Sequence, residues 1–398
     1  MKTVCRLPKF ESARRVELSH FAVKTCRVFL WRLPGSNSLL GVLALQWSMF
    51  SSAIVPVKDG SAHLSMCLDS LLEQVVCPKF VIELSLFDDG STDNISSIVT
   101  LYRSKFLEKG ISVVLGSGEH SRGVGFAKNS SVRQCSGTVL IFCDADDISA
   151  KHRFMSLYNA LYNSPRPDFT LVGSRFERIP SGSTARYTQW ANSLNSTEIY
   201  NQIFTSYGPS VIAPTWCMSK KLYDKVGGFC ETEPVGYPED LRFFYDALKI
   251  GADFIKVEES LVIYRYHPNC ASLDVTEEVI WKMRVVMFEE LILSKWKEFM
   301  VWGAGKVGKK FYKSLNSENR LKVTAFCDVD VKKLKCGRYE YFIPSQRRVL
   351  ATIPIIPLCE MVAPVAICLK MDSLNSNEVK RILRTREMVE GKDYFYLW

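Results

Sequence analysis

The chain has 398 residues, more than a single core usually organises, so two domains are expected. With 47% hydrophobic and 23% charged residues and no repeat or low-complexity tract, the composition excludes disordered and fibrous classes and fits a packed, enzyme-sized protein. The net charge of +9 is uneven: Lys and Arg stand at 8 against 2 Asp and Glu over residues 1–50 and at 20 against 11 over 295–398, while 51–294 carries 23 against 29.

Residues 1–50 read as an irregular basic leader. Arg32 to Lys58 encloses an uncharged run whose SLLGVLALQW portion follows basic residues, as in a signal h-region or short anchor. Gln46 and a Ser-rich stretch interrupt it, and AIVPV at its end suits the first core strand, leaving about fifteen residues where a bilayer span needs ~20. No stable membrane insertion is expected. The thirteen cysteines include no C-x-x-C pair, and several sit in apolar strand-like runs, which suits reduced thiols in a cytoplasmic protein. Three N-x-S/T sequons, at Asn94, Asn129 and Asn195, would suit a secreted protein, but such tripeptides also arise by chance.

From Ser51 the apolar segments AIVPV, VIELSLF, ISVVLG, TVLIFCD and FTLVGSRF alternate with amphipathic stretches such as HLSMCLDSLLEQVV. Strand and helix in alternation predict an α/β fold, a mostly parallel sheet between helices, with ligands bound beyond the carboxyl ends of the strands. Two acidic clusters fall there. FDDGSTDN (Phe87–Asn94) offers carboxylates for a nucleobase imide or ribose hydroxyl, or is a turn with helix-capping residues. CDADD (Cys143–Asp147) offers oxygen ligands for Mg²⁺ or Mn²⁺ bridging a diphosphate, or is a solvated acidic loop.

The ordered strings PVKDG, DDGSTD, GVGFAKN, DADD, GGF, PED and YRYH resemble the family 2 glycosyltransferases of the GT-A fold over Ser51 to about Ser272. The resemblance implies a UDP-sugar donor, a divalent cation and transfer with inversion. It places Pro56, Val57, Asp59 and Asp89 at the uridine, Lys128 and Asn129 in support of the donor, and Asp144 and Asp146 as a DxD pair with Asp146 on the metal. Lys58 and Asp59 depart from the aromatic or His followed by Asn that the family often carries. Lys128 stands where Arg is common, keeping the charge but losing the bidentate fork. Inverting transfer needs a general base, and Asp240 matches the family's, with Glu239 its neighbour; the alternative is that both acids merely favour a helix N-terminus. His267 would be a metal or diphosphate ligand and Arg265 a grip on anionic groups.

FTSYGPSVIAPTWCMS (Phe204–Ser219) and RYTQW (Arg186–Trp190) resemble, more narrowly, the beta-1,3-N-acetylglucosaminyltransferase-like branch that includes the queuosine-tRNA galactosyltransferases. This implies galactose transfer to queuosine in tRNA, with Trp216, Phe229 and Tyr237 as stacking faces for the acceptor unless they pack in the core. The remaining alternatives are a hexosyl- or N-acetylglucosaminyltransferase acting on glycans and a non-catalytic RNA- or nucleotide-binding protein.

The catalytic domain is expected over 51–294, and residues 295–398 form a basic, half-Rossmann-like accessory domain with strands near Val323 and Val365. FMVWGAGKVGKKFY carries G-x-G-x-x-G at Gly303, Gly305 and Gly308, and Asp328 ends the next strand. Sugar transfer needs no dinucleotide, which favours a retained structural turn or a tRNA-contacting module using Lys306, Lys309, Lys310, Lys332, Lys333 and Lys335.

Overall fold

The computed structural model describes residues 49–398 apart from 234, 235, 344, 346 and 371–376. The leader expected over 1–50 lies outside the described residues except for Met49 and Phe50, which already belong to the first strand. Among the described residues no helix is long and apolar enough to cross a membrane.

The alternation seen in the sequence becomes β1 (Met49–Val57), α1 (Ser61–Leu72), β2 (Phe80–Asp88), α2 (Ile95–Glu108), β3 (Ser112–Ser117), α3 (Val124–Gln134) and β4 (Val139–Phe142). β-branched and aliphatic side chains occupy both faces of β1 and β4, with Ile54, Val55, Leu140 and Ile141 fully buried, as a strand covered on both sides requires. Then follow β5 (Ile148–Ser149), α4 (Arg153–Tyr162), β6 (Thr170–Ile179), β7 (Cys217–Ser219) and β8 (Asp253–Arg265). The eight strands lie in the order β3-β2-β1-β4-β7-β6-β8-β5. β3 to β4 run parallel, β7 runs antiparallel to both β4 and β6, and β5 is antiparallel to β8. The sheet is therefore mixed: β6 and β8 run in the direction of β4, and the segment after β4 crosses past their ends to pair as β5 with β8, which sets the end of β8 against Asp147.

A second sheet contains β9 (Phe299–Trp302), β10 (Val323–Asp328), β11 (Arg338–Ile343), β12 (Arg348–Pro357), β13 (Val365–Ile367) and β14 (Tyr394–Tyr396), ordered β11-β12-β10-β9-β13-β14. All but β11 are parallel, so this α/β unit has five parallel strands rather than the half unit expected. The strands not foreseen are β11 and β12, which pair as an antiparallel hairpin, and β14, only three residues long.

One face of the larger sheet packs on α1, α2 and α4 through Leu64, Leu68, Phe106, Phe154 and Leu157. The other face joins a core that runs on into the second sheet: Phe288 meets Phe204, Phe311 and Phe395 edge to face, with ring centroids 4.9, 5.6 and 6.2 Å apart. Each such ring contributes roughly 1.5–3 kcal/mol by burial. The backbone N–H of Trp398 also donates to the carbonyl of Phe204 at 3.1 Å. Every described cysteine is a free thiol, and Cys67, Cys143, Cys217 and Cys270 are buried.

Candidate active site

The carboxyl ends of β1 and β2 are tied by their own polar residues. Val57 is buried in the core and its carbonyl accepts from the Asp89 N–H at 2.9 Å, so only the half-buried Pro56 of that pair lies towards a ligand. Asp59 is exposed, with φ of 45°, and its Oδ1 accepts from the Thr92 N–H at 2.7 Å. Lys58, 2.8 Å away, and that N–H hold its carboxyl below the ordinary range. Asp89 is buried beneath the loop before α3, accepting from Ser121 Oγ at 2.7 Å and from the N–H groups of Arg122 and Gly123 at 3.0 and 2.9 Å. Gly90, at φ of 70°, permits this approach, since a Cβ there would sit 2.6 Å from the carbonyl carbon of His120. Both oxygens of Asp89 thus shape the loop.

Beyond β4 the carboxylates gather. Oxygens of Asp144, Asp146 and Asp147 lie within 4.8 Å of one another. β8 supplies the other wall: the Arg265 N–H donates to Asp147 Oδ1 at 2.8 Å, and its Nε donates to the Asp146 carbonyl at 2.9 Å. His267 Nε2 lies 2.9 Å from Asp146 Oδ2. Asp147 Oδ2 is buried without a partner. Burial pushes Asp144 up to about 6, with Asp146 and Glu239 adding to the rise against Lys128, and it pushes Asp147 well above the carboxylate range. Clustered carboxylates with an orphaned oxygen and a neighbouring imidazole fit a divalent cation.

α3 and the helix Glu239–Lys249 close the site opposite. Lys128 is buried with Nζ 2.8 Å from Glu239 Oε1. Burial works against its charge, but Glu239, Asp144 and Asp240 outweigh it and hold the ammonium above its ordinary pKa. Glu239 is therefore committed to Lys128. Among the described residues Asp240 accepts only a local 2.6 Å bond from the Leu241 N–H, and burial, reinforced by Glu239, pushes it up to about 7. Of the adjacent acids, Asp240 is the one free to take a proton.

Three expectations need correction. Asn129 faces away from any donor: its Nδ2 donates to the Phe229 carbonyl and Glu231 at 2.8 and 2.7 Å, and its Oδ1 accepts from the Phe229 N–H at 2.8 Å and from the Tyr223 hydroxyl. That saturated amide fixes the turn at Gly227–Phe229 and, being buried, is no glycan acceptor. Trp216 is fully buried, its Nε1 donating to the Val211 carbonyl at 2.7 Å, and Phe229 stacks on Phe243 at 4.7 Å. Both are core, because aromatic surface is driven inward wherever backbone acceptors can take the indole N–H. Tyr237 is half-buried and borders a cleft of about 430 Å³ with Arg242, Lys282 and Met283.

The wall near Asp240 is built instead by residues the sequence did not single out. The Arg178 guanidinium lies 3.8 Å over the Tyr264 ring, with Nε buried and unpartnered. Burial raises the Tyr187 and Tyr264 hydroxyls, with Asp240 acting on the first and Asp147 and Asp144 on the second. Tyr187 and Tyr264 sat inside quoted strings; nothing around Arg178 signalled it.

At the second sheet, Asp328 folds back on the glycine-rich loop, accepting from the Ala304 N–H and Lys333 Nζ, both at 2.8 Å. A Cβ on Gly308 would lie 1.9 Å from the Gly303 carbonyl oxygen, so packing alone requires that glycine. Lys310 pairs with Glu278 at 3.0 Å and Lys309 lies over the Tyr339 ring, whereas Lys306, Lys332 and Lys335 are exposed.

Residues 52–227 match the family model described as "Glycosyl transferase family 2", which ends before Asp240 and His267. The chain is 34% identical over 200 residues to the poly(ribitol-phosphate) beta-N-acetylglucosaminyltransferase TarS of Staphylococcus aureus, covering 50% of this chain and 31% of that one. It is 32% identical over 108 residues to a poly(ribitol-phosphate) beta-glucosyltransferase of Bacillus spizizenii, 27% of this chain and 16% of that one. It thus spans less than a third of the length of either relative. Among solved structures, S. aureus TarS 1–349 with UDP-GlcNAc aligns at 18% identity and a TM-score of 0.46, covering 60% of this chain and 66% of that one.

Proposed function

We propose that the chain is an inverting glycosyltransferase that moves a sugar from UDP to an acceptor hydroxyl with a divalent cation, Mn²⁺ or Mg²⁺. The observation that carries it is the meeting of the half-buried Asp144, Asp146, His267, Glu239 and Asp240 with the buried Asp147 and Lys128, a set that pairs cation ligands with a carboxylate outside any ion pair. Asp146 and His267 hold the cation, with Asp144 and Asp147 beside them. When bound, that cation offsets charge on the leaving diphosphate. Asp240 takes the acceptor proton as the acceptor oxygen attacks the anomeric carbon and the bond to the diphosphate oxygen breaks. Lys128 holds Glu239 in a 2.8 Å ion pair and adds positive charge beside the departing group. Pro56, Asp59 and Asp89 shape the nucleotide end, Arg265 the phosphate end, and Tyr237 the approach of the acceptor. Residues 51–294 form the catalytic domain and 295–398 the accessory one, in a cytoplasmic protein.

For the acceptor, the charge of 295–398 and the exposed Lys306, Lys332 and Lys335 support a polyanion such as tRNA, and the resemblance carried by Phe204–Ser219 and Arg186–Trp190 supports galactose transfer to its queuosine. A polymer or glycan acceptor is favoured by the relatives, whose names specify poly(ribitol-phosphate). Purified chain incubated with Mn²⁺, a panel of UDP-sugars and either queuosine-containing tRNA or glycan acceptors separates the two, with Asp240→Asn as control. Sugar on the tRNA, absent in the control, establishes the first; transfer to glycan alone establishes the second; no transfer or donor hydrolysis with any pair refutes the enzyme.

A further inference from the structure

Directly after β8 the chain turns back on itself, and the turn carries a sulfur to the carboxylate cluster. The Cys270 N–H donates to the His267 carbonyl at 3.1 Å, while the His267 N–H donates to Cys270 Sγ at 3.1 Å. Cys270 is buried, and its thiol otherwise meets only the Arg265 carbonyl at 3.8 Å. Ligand atoms of Asp146, His267 and Cys270 fall within 4.8 Å of one another, and the His267 Nε2 to Asp146 Oδ2 separation is 2.9 Å.

We propose that Asp146, His267 and Cys270 form a thiophilic cation site that takes Zn²⁺ or Co²⁺ through one oxygen, one nitrogen and one sulfur. The site shares Asp146 and His267 with the hard-cation position and rests on the proposed transferase for that overlap alone. Zinc takes S, N and O ligands at roughly 2.3, 2.0 and 2.1 Å, and three such ligands around one ion sit about 3–3.5 Å apart. The imidazole and carboxylate, 2.9 Å apart, open slightly to that spacing, and the thiol, within 4.8 Å of both, closes by no more than about 1.5 Å to complete it. The ion enters the present Nε2···Oδ2 contact, and Cys270 loses its thiol proton to solvent, leaving a fourth position open. Asp144 and Asp147 supply negative charge from β4 against the positive Arg265 on the other side. A hard Mg²⁺ ion has no use for the sulfur, whereas Zn²⁺ and Co²⁺ gain a thiolate, so a soft ion displaces the working one.

The test is titration of the full chain with Co²⁺ as sole divalent cation, without donor or acceptor, in wild type, Cys270→Ser and Cys270→Ala. Wild type is expected to show visible d–d absorption together with a thiolate-to-cobalt band in the near ultraviolet at one equivalent. Both variants, with near-ultraviolet dichroism unchanged, keep the d–d absorption but lose the thiolate band, and their Zn²⁺ affinity against a chromophoric chelator falls at least ~10-fold. Wild type without the thiolate band overturns the proposal, as does a band that survives in both variants and so belongs to Cys67 or Cys143. No sugar enters the measurement, so a failed transferase assay leaves this result intact, and an absent band leaves the transferase standing.

Discussion

Among the parallel-strand ends that carry acidic residues, those of β4 and β10 are electrostatic opposites. Beyond β4, burial raises Asp144 and Asp147, as it raises Asp240 on the facing helix, and an oxygen of Asp147 has no partner among the described residues. Beyond β10, burial also works against the Asp328 charge, but Lys333 and the N–H groups of Asp330 and Ala304 outweigh it and hold the carboxyl below the ordinary range. A satisfied carboxylate stabilises a turn, while crowded and unsatisfied ones cost stability until a ligand arrives. The same position at a strand end is thus closed by its own hydrogen bonds in one sheet and left able to take a ligand in the other.

The contrast breaks most visibly at Asp240. Asp240→Asn is expected to lower sugar transfer by about 10³-fold, measured as initial rate at saturating donor. With its pKa raised to about 7, the wild-type rate rises with pH through that value. The sign reverses for stability. A carboxyl raised in the folded state binds its proton more tightly than in the unfolded chain, so stability falls as pH rises from about 4 to about 7. Chemical denaturation at pH 8 should therefore find Asp240→Asn more stable by about 1–2 kcal/mol, with the gain vanishing below pH about 4. A variant no more stable than wild type at pH 8 would remove the claim of crowding.

Lys128→Met is next. It leaves Glu239 without its partner beside two further carboxylates and should cost about 2–3 kcal/mol at pH 8 and less at pH 5, where the acids can protonate. Equal losses at both values would mean that packing, not charge, is what Lys128 supplies. Gly308→Ala sharpens the other side: a Cβ 1.9 Å from a backbone oxygen should cost about 2 kcal/mol in thermal or denaturant unfolding, while UDP binding by the folded protein stays unchanged. The smallest effect is Asp328→Asn, about 1 kcal/mol of stability at pH 7. A lowered carboxyl contributes above its unfolded pKa and loses that contribution as pH falls, so wild type and variant should converge below pH about 4.

Much of this contrast was legible in the sequence, because strand ends and carboxylates are local features. DADD after an apolar run located the cluster, and PED after GGF located Asp240. Burial was not legible: Trp216, Phe229 and Asn129 are residue types common at binding sites, and it is the packing of Trp216 and Phe229 on Phe243, and the docking of Asn129 on the turn at Gly227–Phe229, that turn them inward. The antiparallel β7, three residues long, lacks the length for period-2 alternation to register. Arg178, near the end of β6, and Cys270, after β8, reach the site only because β6 and β8 run in the direction of β4 and the segment after β4 crosses to β8, a long-range consequence of strand order with no local signature.

The most direct test of the central claim is calorimetric titration of UDP with and without Mn²⁺ into wild type, Asp146→Asn and Asp328→Asn. Wild type and Asp328→Asn should bind UDP at least ~10-fold more tightly with Mn²⁺, and Asp146→Asn should lose that gain. Cation-dependent binding that survives in Asp146→Asn and disappears in Asp328→Asn would move the nucleotide to the smaller sheet and contradict the account.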